Sequence, residues 1–136
     1  MQYEPTLSRA ELVKFATQTY FGNVDAKNME ATLDCFHDEA LFCVQTAFTR
    51  HAGKAEIRRM FEDFFGAYET IIHRDFTCTV DEKNGRITAC FVAELHDADG
   101  NVTLLNNTNF WRLRPGPGGA KFQEVYVYMS GANVLT

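Results

Sequence analysis

The side chains best equipped for chemistry in this sequence are amides, a phenol and imidazoles set among large apolar groups. Asn106, Asn107 and Asn109 all fall within Leu104–Leu113 (LLNNTNFWRL). Read as a strand, that stretch puts Leu105, Asn107, Asn109, Trp111 and Leu113 on one face. Leu104, Asn106, Thr108, Phe110 and Arg112 take the other. Both faces mix amides with bulky apolar groups, and asparagine is depleted in strands. A buried amide without partners costs roughly 1–3 kcal/mol. The asparagines therefore point to a polar network, a water-filled pocket or a bound ligand; bonds to loops or solvent are the plainer alternative. Tyr20 closes a helical stripe of apolar residues, so its hydroxyl also needs a partner, structural or functional.

Around these residues the chain reads as helices followed by strands. Thr6-Leu7-Ser8 leads into a helix, with Ser8 and Glu11 spaced as a capping box. Leu12, Phe15, Ala16, Thr19 and Tyr20 form its inward stripe, and Gly22 is expected to stop it. A second helix is expected from about Ala26 to Phe36, starting after Asp25 or at Asn28 and closed by His37-Asp38-Glu39. Residues 40–46 read as a strand. His51-Ala52-Gly53 turns into a third helix, Lys54 to Phe65, with Ile57, Met60, Phe61 and Phe64 on its stripe. Four strands follow: Ile71 to Val80, Arg86 to His96, Asn101 to Leu113 and Lys121 to Ser130. Asn84-Gly85, Asp99-Gly100 and the Pro115–Gly119 cluster separate them, and the last is expected to end its strand. Helices followed by an antiparallel meander make an α+β order in a single domain, 1–136, without the glycine motifs of nucleotide-binding folds.

With 136 residues, 46% hydrophobic content and 12 Phe, the chain can bury one sizeable core. A net charge of −5 and no basic tract beyond Arg58-Arg59 speak against a nucleic-acid partner. No apolar run approaches the ~20 residues of a membrane span. The polar start lacks the apolar core of a secretory signal, so a cytoplasmic location is the expectation. Cys35, Cys43, Cys78 and Cys90 form no CxxC pair and read as small buried hydrophobes. The scattered histidines offer no metal-ligand spacing, and neither metal nor cofactor is expected.

The order and spacing of these segments resemble the nuclear transport factor 2-like superfamily, which includes steroid isomerases, polyketide cyclases and scytalone dehydratase. The residues carrying the resemblance are the helix ending in Tyr20, then Asp25 with the short second helix. They continue through Cys35–Ala40 and His51–Arg58 to the hairpin from Asn109–Leu113 to Val125–Tyr128. The resemblance implies a curved sheet wrapped around a long helix, a cone with an internal pocket. It puts Tyr20 at the oxyanion-binding tyrosine of steroid isomerases and Asn109 at their second oxyanion donor. An amide can donate the same bond. Their general base, however, falls on Val44, which cannot take a proton. The position of His73 resembles a pocket histidine of dehydratase-like members, and imidazole suits proton transfer near neutrality. A strand-end histidine bonded to backbone is the alternative. His96 is expected to be exposed, and His37 and His51 to cap or meet solvent. Glu94 reads as an edge charge or a pocket carboxylate.

The resulting expectation is a proton-transfer enzyme of isomerase, cyclase or dehydratase type acting on a small hydrophobic, oxygenated substrate. Tyr20, Asn109 and His73 would be the catalytic groups; Phe15, Phe61, Phe64, Asn107, Trp111 and Met129 would line the pocket. Tyr20 would take its hydroxyl partner from Asn109. The alternatives are a non-catalytic ligand-binding module and an accessory dimeric subunit. A homodimer is expected through a patch of Thr108, Phe110, Arg112, Glu124, Tyr126 and Tyr128.

Overall fold

In the computed structural model, which describes residues 7–131, Ser8 opens the first helix as its spacing predicts. The Glu11 amide donates to Ser8 Oγ at 3.2 Å, and the Ser8 amide donates to Glu11 Oε1 at 3.1 Å. The lead-in from Thr6 and the polar start lie outside the described residues. The helix runs unbroken through α1 (Arg9–Lys14), a π-helical segment (Phe15–Tyr20) and α2 (Phe21–Asp25). Gly22 does not stop it. The stop comes at Lys27, whose φ of 56° takes the left-handed position that ends helices, while its ammonium donates to the Tyr68 carbonyl.

The next helix, α3 (Met29–Leu33), is shorter than expected. Asn28 caps it, accepting from the Ala31 amide at 3.3 Å. His37, Asp38 and Glu39 belong not to its end but to strand β1 (Phe36–Val44). Pairing on either side of them decides this: β1 runs parallel to the last strand, with Phe36 opposite Phe122 and Leu41 opposite Glu124, and residues 37–40 span an irregularity in the register. His51 and Ala52 likewise form part of strand β2 (Thr49–Ala52), which pairs with β1. Gly53 alone makes the turn, with φ 84°, into α4 (Lys54–Ala67).

The second half is the expected antiparallel meander: β3 (Thr70–Asp81), β4 (Arg86–His96), β5 (Val102–Gly116) and β6 (Gly119–Met129). The whole sheet has the order β2-β1-β6-β5-β4-β3. Pro115 does not end β5; it pairs with Ala120 in the last rungs of the hairpin, which turns through Pro117 and Gly118, the latter at φ 82°. At a strand's end the missing amide proton costs little. In β3 a bulge between Arg74 and Thr77 includes Asp75 at φ 61°.

The inner face of the sheet closes over the helices. Leu12, Ala16, Tyr20, Val24, Ile57, Met60, Phe61 and Phe64 pack against Leu105, Trp111, Leu113, Phe122, Val125 and Val127 in one core. Asn107 and Asn109 are buried with them, so the strand parity read from the sequence holds. Cys35 and Cys43 are buried, but Cys90 is exposed on the outer face, 3.4 Å from Thr108 Oγ1. Strand alternation, not apolar character, sets that position. Among the described residues no helix is long and apolar enough to cross a membrane.

Candidate functional site

The first helical run and strand β3 bring an acid and an imidazole together at the wall of an internal cavity. Asp25 is the last residue of α2, and His73 is the fourth residue of β3. Asp25 holds His73 with both oxygens: Oδ1 lies 2.6 Å from Nδ1, and Oδ2 accepts the backbone amide at 2.9 Å. The His73 side chain is 7% exposed. Its ring stacks on Phe21 at a centroid distance of 4.1 Å and meets Phe91 edge-on at 5.5 Å. With Nδ1–H donated to the carboxylate, Nε2 is the nitrogen left with a lone pair.

The cavity is lined by Tyr20, Phe21, Val24, Phe42, Phe61, Phe64, His73, Phe91, Asn107, Asn109 and Val127. Counting its open mouth it spans about 310 Å³, of which about 20 Å³ admits a water-sized sphere, room for about one water with the walls as they stand. Tyr20 is fully enclosed, and burial, reinforced by Cys35 and Asp25, pushes its phenol well above the ordinary value. It therefore stays protonated and can donate. Asn107 Oδ1 and Asn109 Oδ1 are buried without a partner. The cavity walls thus offer hydrogen-bonding groups to something other than the protein.

Of the residues named from sequence, Tyr20, His73, Asn107, Asn109, Phe61 and Phe64 converge on this cavity. Phe15, Trp111 and Met129 do not line it. Phe15 packs edge-on against Phe122 at 4.8 Å, and Trp111 lies flat on the same ring at 5.7 Å. Met129 is buried near the end of β6. The expected bond between Tyr20 and Asn109 is not made; the phenol ring sits edge-on to Phe36, Phe122 and Trp111. Asn109 is thereby left without the partner assigned to it.

Asp25 was not among the residues named for the site. Its contact with His73 spans 48 positions, so no local spacing announces it. Phe42, Phe91 and Val127 could have been found by extending strand parity to β1, β4 and β6. The other ionisable candidates lie elsewhere. Glu94 is an outer-face charge, bonded to Arg74 at 3.2 Å and His96 at 2.7 Å. His37 accepts from Arg114 at 2.8 Å. Val44 is fully buried in the core and offers no proton acceptor. No group of three or more His, Cys, Asp or Glu placed to hold a metal occurs among the described residues.

Comparison with known proteins gives these features a setting. A family model for the SnoaL-like domain matches residues 5–126. No curated protein sequence matches significantly. Among solved structures, a candidate aromatic ring hydroxylase from Novosphingobium aromaticivorans superposes with TM-score 0.78 at 22% identity, covering 92% of this chain and 94% of its own. A candidate polyketide cyclase from Xanthomonas campestris reaches TM-score 0.74 at 19% identity, covering 89% and 92%. A protein with a ketosteroid isomerase-like fold from Catenulispora acidiphila, solved with trimethylamine, reaches 0.72 at 12% identity, covering 89% and 86%. At these identities the likeness is one of fold.

Proposed function

We propose that this chain, which belongs to the SnoaL-like domain family within the nuclear transport factor 2-like superfamily, is a proton-transfer enzyme on a small hydrophobic, oxygenated substrate. The reaction is of isomerase, cyclase or dehydratase type. The observation that carries this reading is the Asp25–His73 pair, 2.6 Å apart at the wall of an aromatic cavity.

In this reading Asp25 fixes the imidazole with its proton on Nδ1 and supports the imidazolium that forms. Nε2 removes a proton from a carbon next to a carbonyl. The C–H electron pair moves into the enolate, whose oxygen gains charge. The protonated Tyr20 hydroxyl and the Asn109 amide group donate to that oxygen. The proton on Nε2 then goes to another carbon in an isomerisation, or to a departing hydroxyl in a dehydration. The pair replaces the carboxylate base that Val44 cannot provide.

The test needs no knowledge of the substrate. The protein is incubated in D2O with a panel of cyclic ketones, and loss of α-hydrogen signal is followed by NMR. Catalysed exchange that disappears in His73→Gln is the expected result. Stabilising binding without exchange of any bound ketone would favour the ligand-binding module instead.

The chain is further proposed to pair through the outer sheet face. Phe110 and Tyr128 are 43% and 47% exposed there, their rings 5.7 Å apart. Beside them Arg112 donates to Glu124 at 2.9 Å, and the Tyr126 hydroxyl donates to the same carboxylate at 2.7 Å. Aromatics flanked by a satisfied Arg–Glu pair suit an interface core.

A further inference from the structure

We infer, on the footing of that reading, that Phe21 is a positioning residue for His73. Clamped between the imidazole and Phe76, its ring holds the imidazole with Nδ1 on Asp25 and Nε2 toward the cavity.

Three rings form one stack. Phe21 lies 4.1 Å from His73 at an interplanar angle of 20°, and 5.5 Å from Phe76 at 22°. Phe91 closes the edge, 4.9 Å from Phe21 and 5.5 Å from His73. Two uncommon backbone features converge on this stack. The first is the π-helical segment ending at Tyr20, where the Phe21 amide reaches back five residues to the Ala16 carbonyl. In a regular helix, sequence neighbours point about 100° apart. Here Tyr20 and Phe21 are 2% and 3% exposed, and both line the cavity. The second is the β3 bulge, with Asp75 at φ 61°, a conformation uncommon outside glycine. In a regular strand, residues three apart face opposite ways. The bulge instead turns both His73 and Phe76 onto Phe21.

A well-packed core needs neither irregularity, and departures of this kind persist where surrounding structure holds them for a purpose. The torsion that spins an imidazole is broad and soft. A ring pressed against one face removes that freedom and shields the Nδ1–Oδ1 bond from water. Positioning of this sort is what fixes a base within reach of its proton.

The protein alone suffices for the test. Imidazole NMR of the ligand-free protein reports the His73 tautomer and the solvent exchange of its Nδ1 proton, with Asp25→Asn and His73→Gln assigning the signals. Phe21→Leu is expected to give a mixed tautomer and roughly tenfold faster exchange of that proton, because the bond opens more often. Phe21→Tyr, which keeps a flat ring, is expected to restore the wild-type pattern. Phe76→Leu is expected to shift it part of the way. A Phe21→Leu protein with lower Tm but wild-type tautomer and exchange would overturn the inference. Should Phe21→Leu not fold, a wild-type pattern in Phe76→Leu would do the same. Deuterium exchange into ketones separates this outcome from the function proposed above. No catalysis with the Phe21 effect intact defeats only the enzyme reading. Catalysis with an unresponsive His73 proton defeats only the role of Phe21.

Discussion

The two faces of β5 break the usual rules of burial in opposite ways. On the inner face, Asn107 and Asn109 bury amide oxygens that no protein group meets. On the outer face, the polar groups of Arg112, Glu124 and Tyr126 are joined, while Leu104 and Phe110 are 58% and 43% exposed. One side holds polar atoms where it is dry, and the other holds apolar surface where it is wet. A lone chain has no use for either arrangement. Under the proposed function the inner face serves a small ligand and the outer face a protein surface.

The sharpest way to break that assignment is at the base of the inner face. Asp25→Asn is expected to slow α-hydrogen exchange by roughly 10²–10⁴, because the His73 base loses the carboxylate that fixes its tautomer and supports its imidazolium. Stability measured by urea unfolding should change much less. An unaffected rate would detach the acid–imidazole pair from the cavity's purpose.

A charge on the outer face comes next. Tyr128→Glu is expected to turn a homodimer into a monomer at micromolar concentration, read by light scattering, and to leave ketone binding intact. An unchanged mass would free the outer face from its role as interface.

Asn109→Leu sharpens the inner side of the comparison. Its Oδ1 has no partner, so removing it should cost little stability, or add some, while ligand binding by thermal shift is lost. A fall of about 1–3 kcal/mol would mean that the amide satisfies the protein rather than a ligand.

The smallest expected effect concerns pH at the outer face. Hydrogen bonding from Tyr126, then from Arg112, holds the Glu124 carboxyl below its ordinary value despite partial burial. Bonding to Glu124, with burial second, pushes the Tyr126 phenol up to about 12. A depressed carboxylate contributes stability above its unfolded pKa, about 4.3, and loses it as pH falls through the lower folded value. Glu124→Gln should therefore flatten the acid limb of the stability curve below about pH 4.3 by a few tenths of a kcal/mol, a size set by solvent screening. An unchanged acid limb would place the pair's role elsewhere.

Strand parity was the most legible feature of the sequence. Alternation put Asn107, Asn109 and Trp111 on one face, and antiparallel pairing with β4 and β6 keeps them there without interruption. The capping box at Ser8 and Glu11 was equally readable, because both partners lie within one turn. Helix ends were less so. Gly22 has the freedom to stop a helix but does not use it, since the turn forms at Lys27. Phe36–Glu39 carries no clear strand signal of its own and is drawn into β1 by the pairing with β6 that flanks it at Phe36 and Leu41.

The sequence by itself determined the order of elements, the alternating faces and the residue types available to a site. It could do so because those properties depend on neighbours a few positions apart. The tertiary structure alone decided that Asp25 meets His73, that Phe21 lies between two rings, and that Trp111 packs on Phe122 instead of lining the cavity. The first two join residues far apart in the chain, and the third crosses the β5–β6 hairpin. A π-helical turn precedes Phe21 and a β-bulge follows His73, rotating side chains there off their regular period. Such shifts of register come from packing as a whole, which no local pattern encodes.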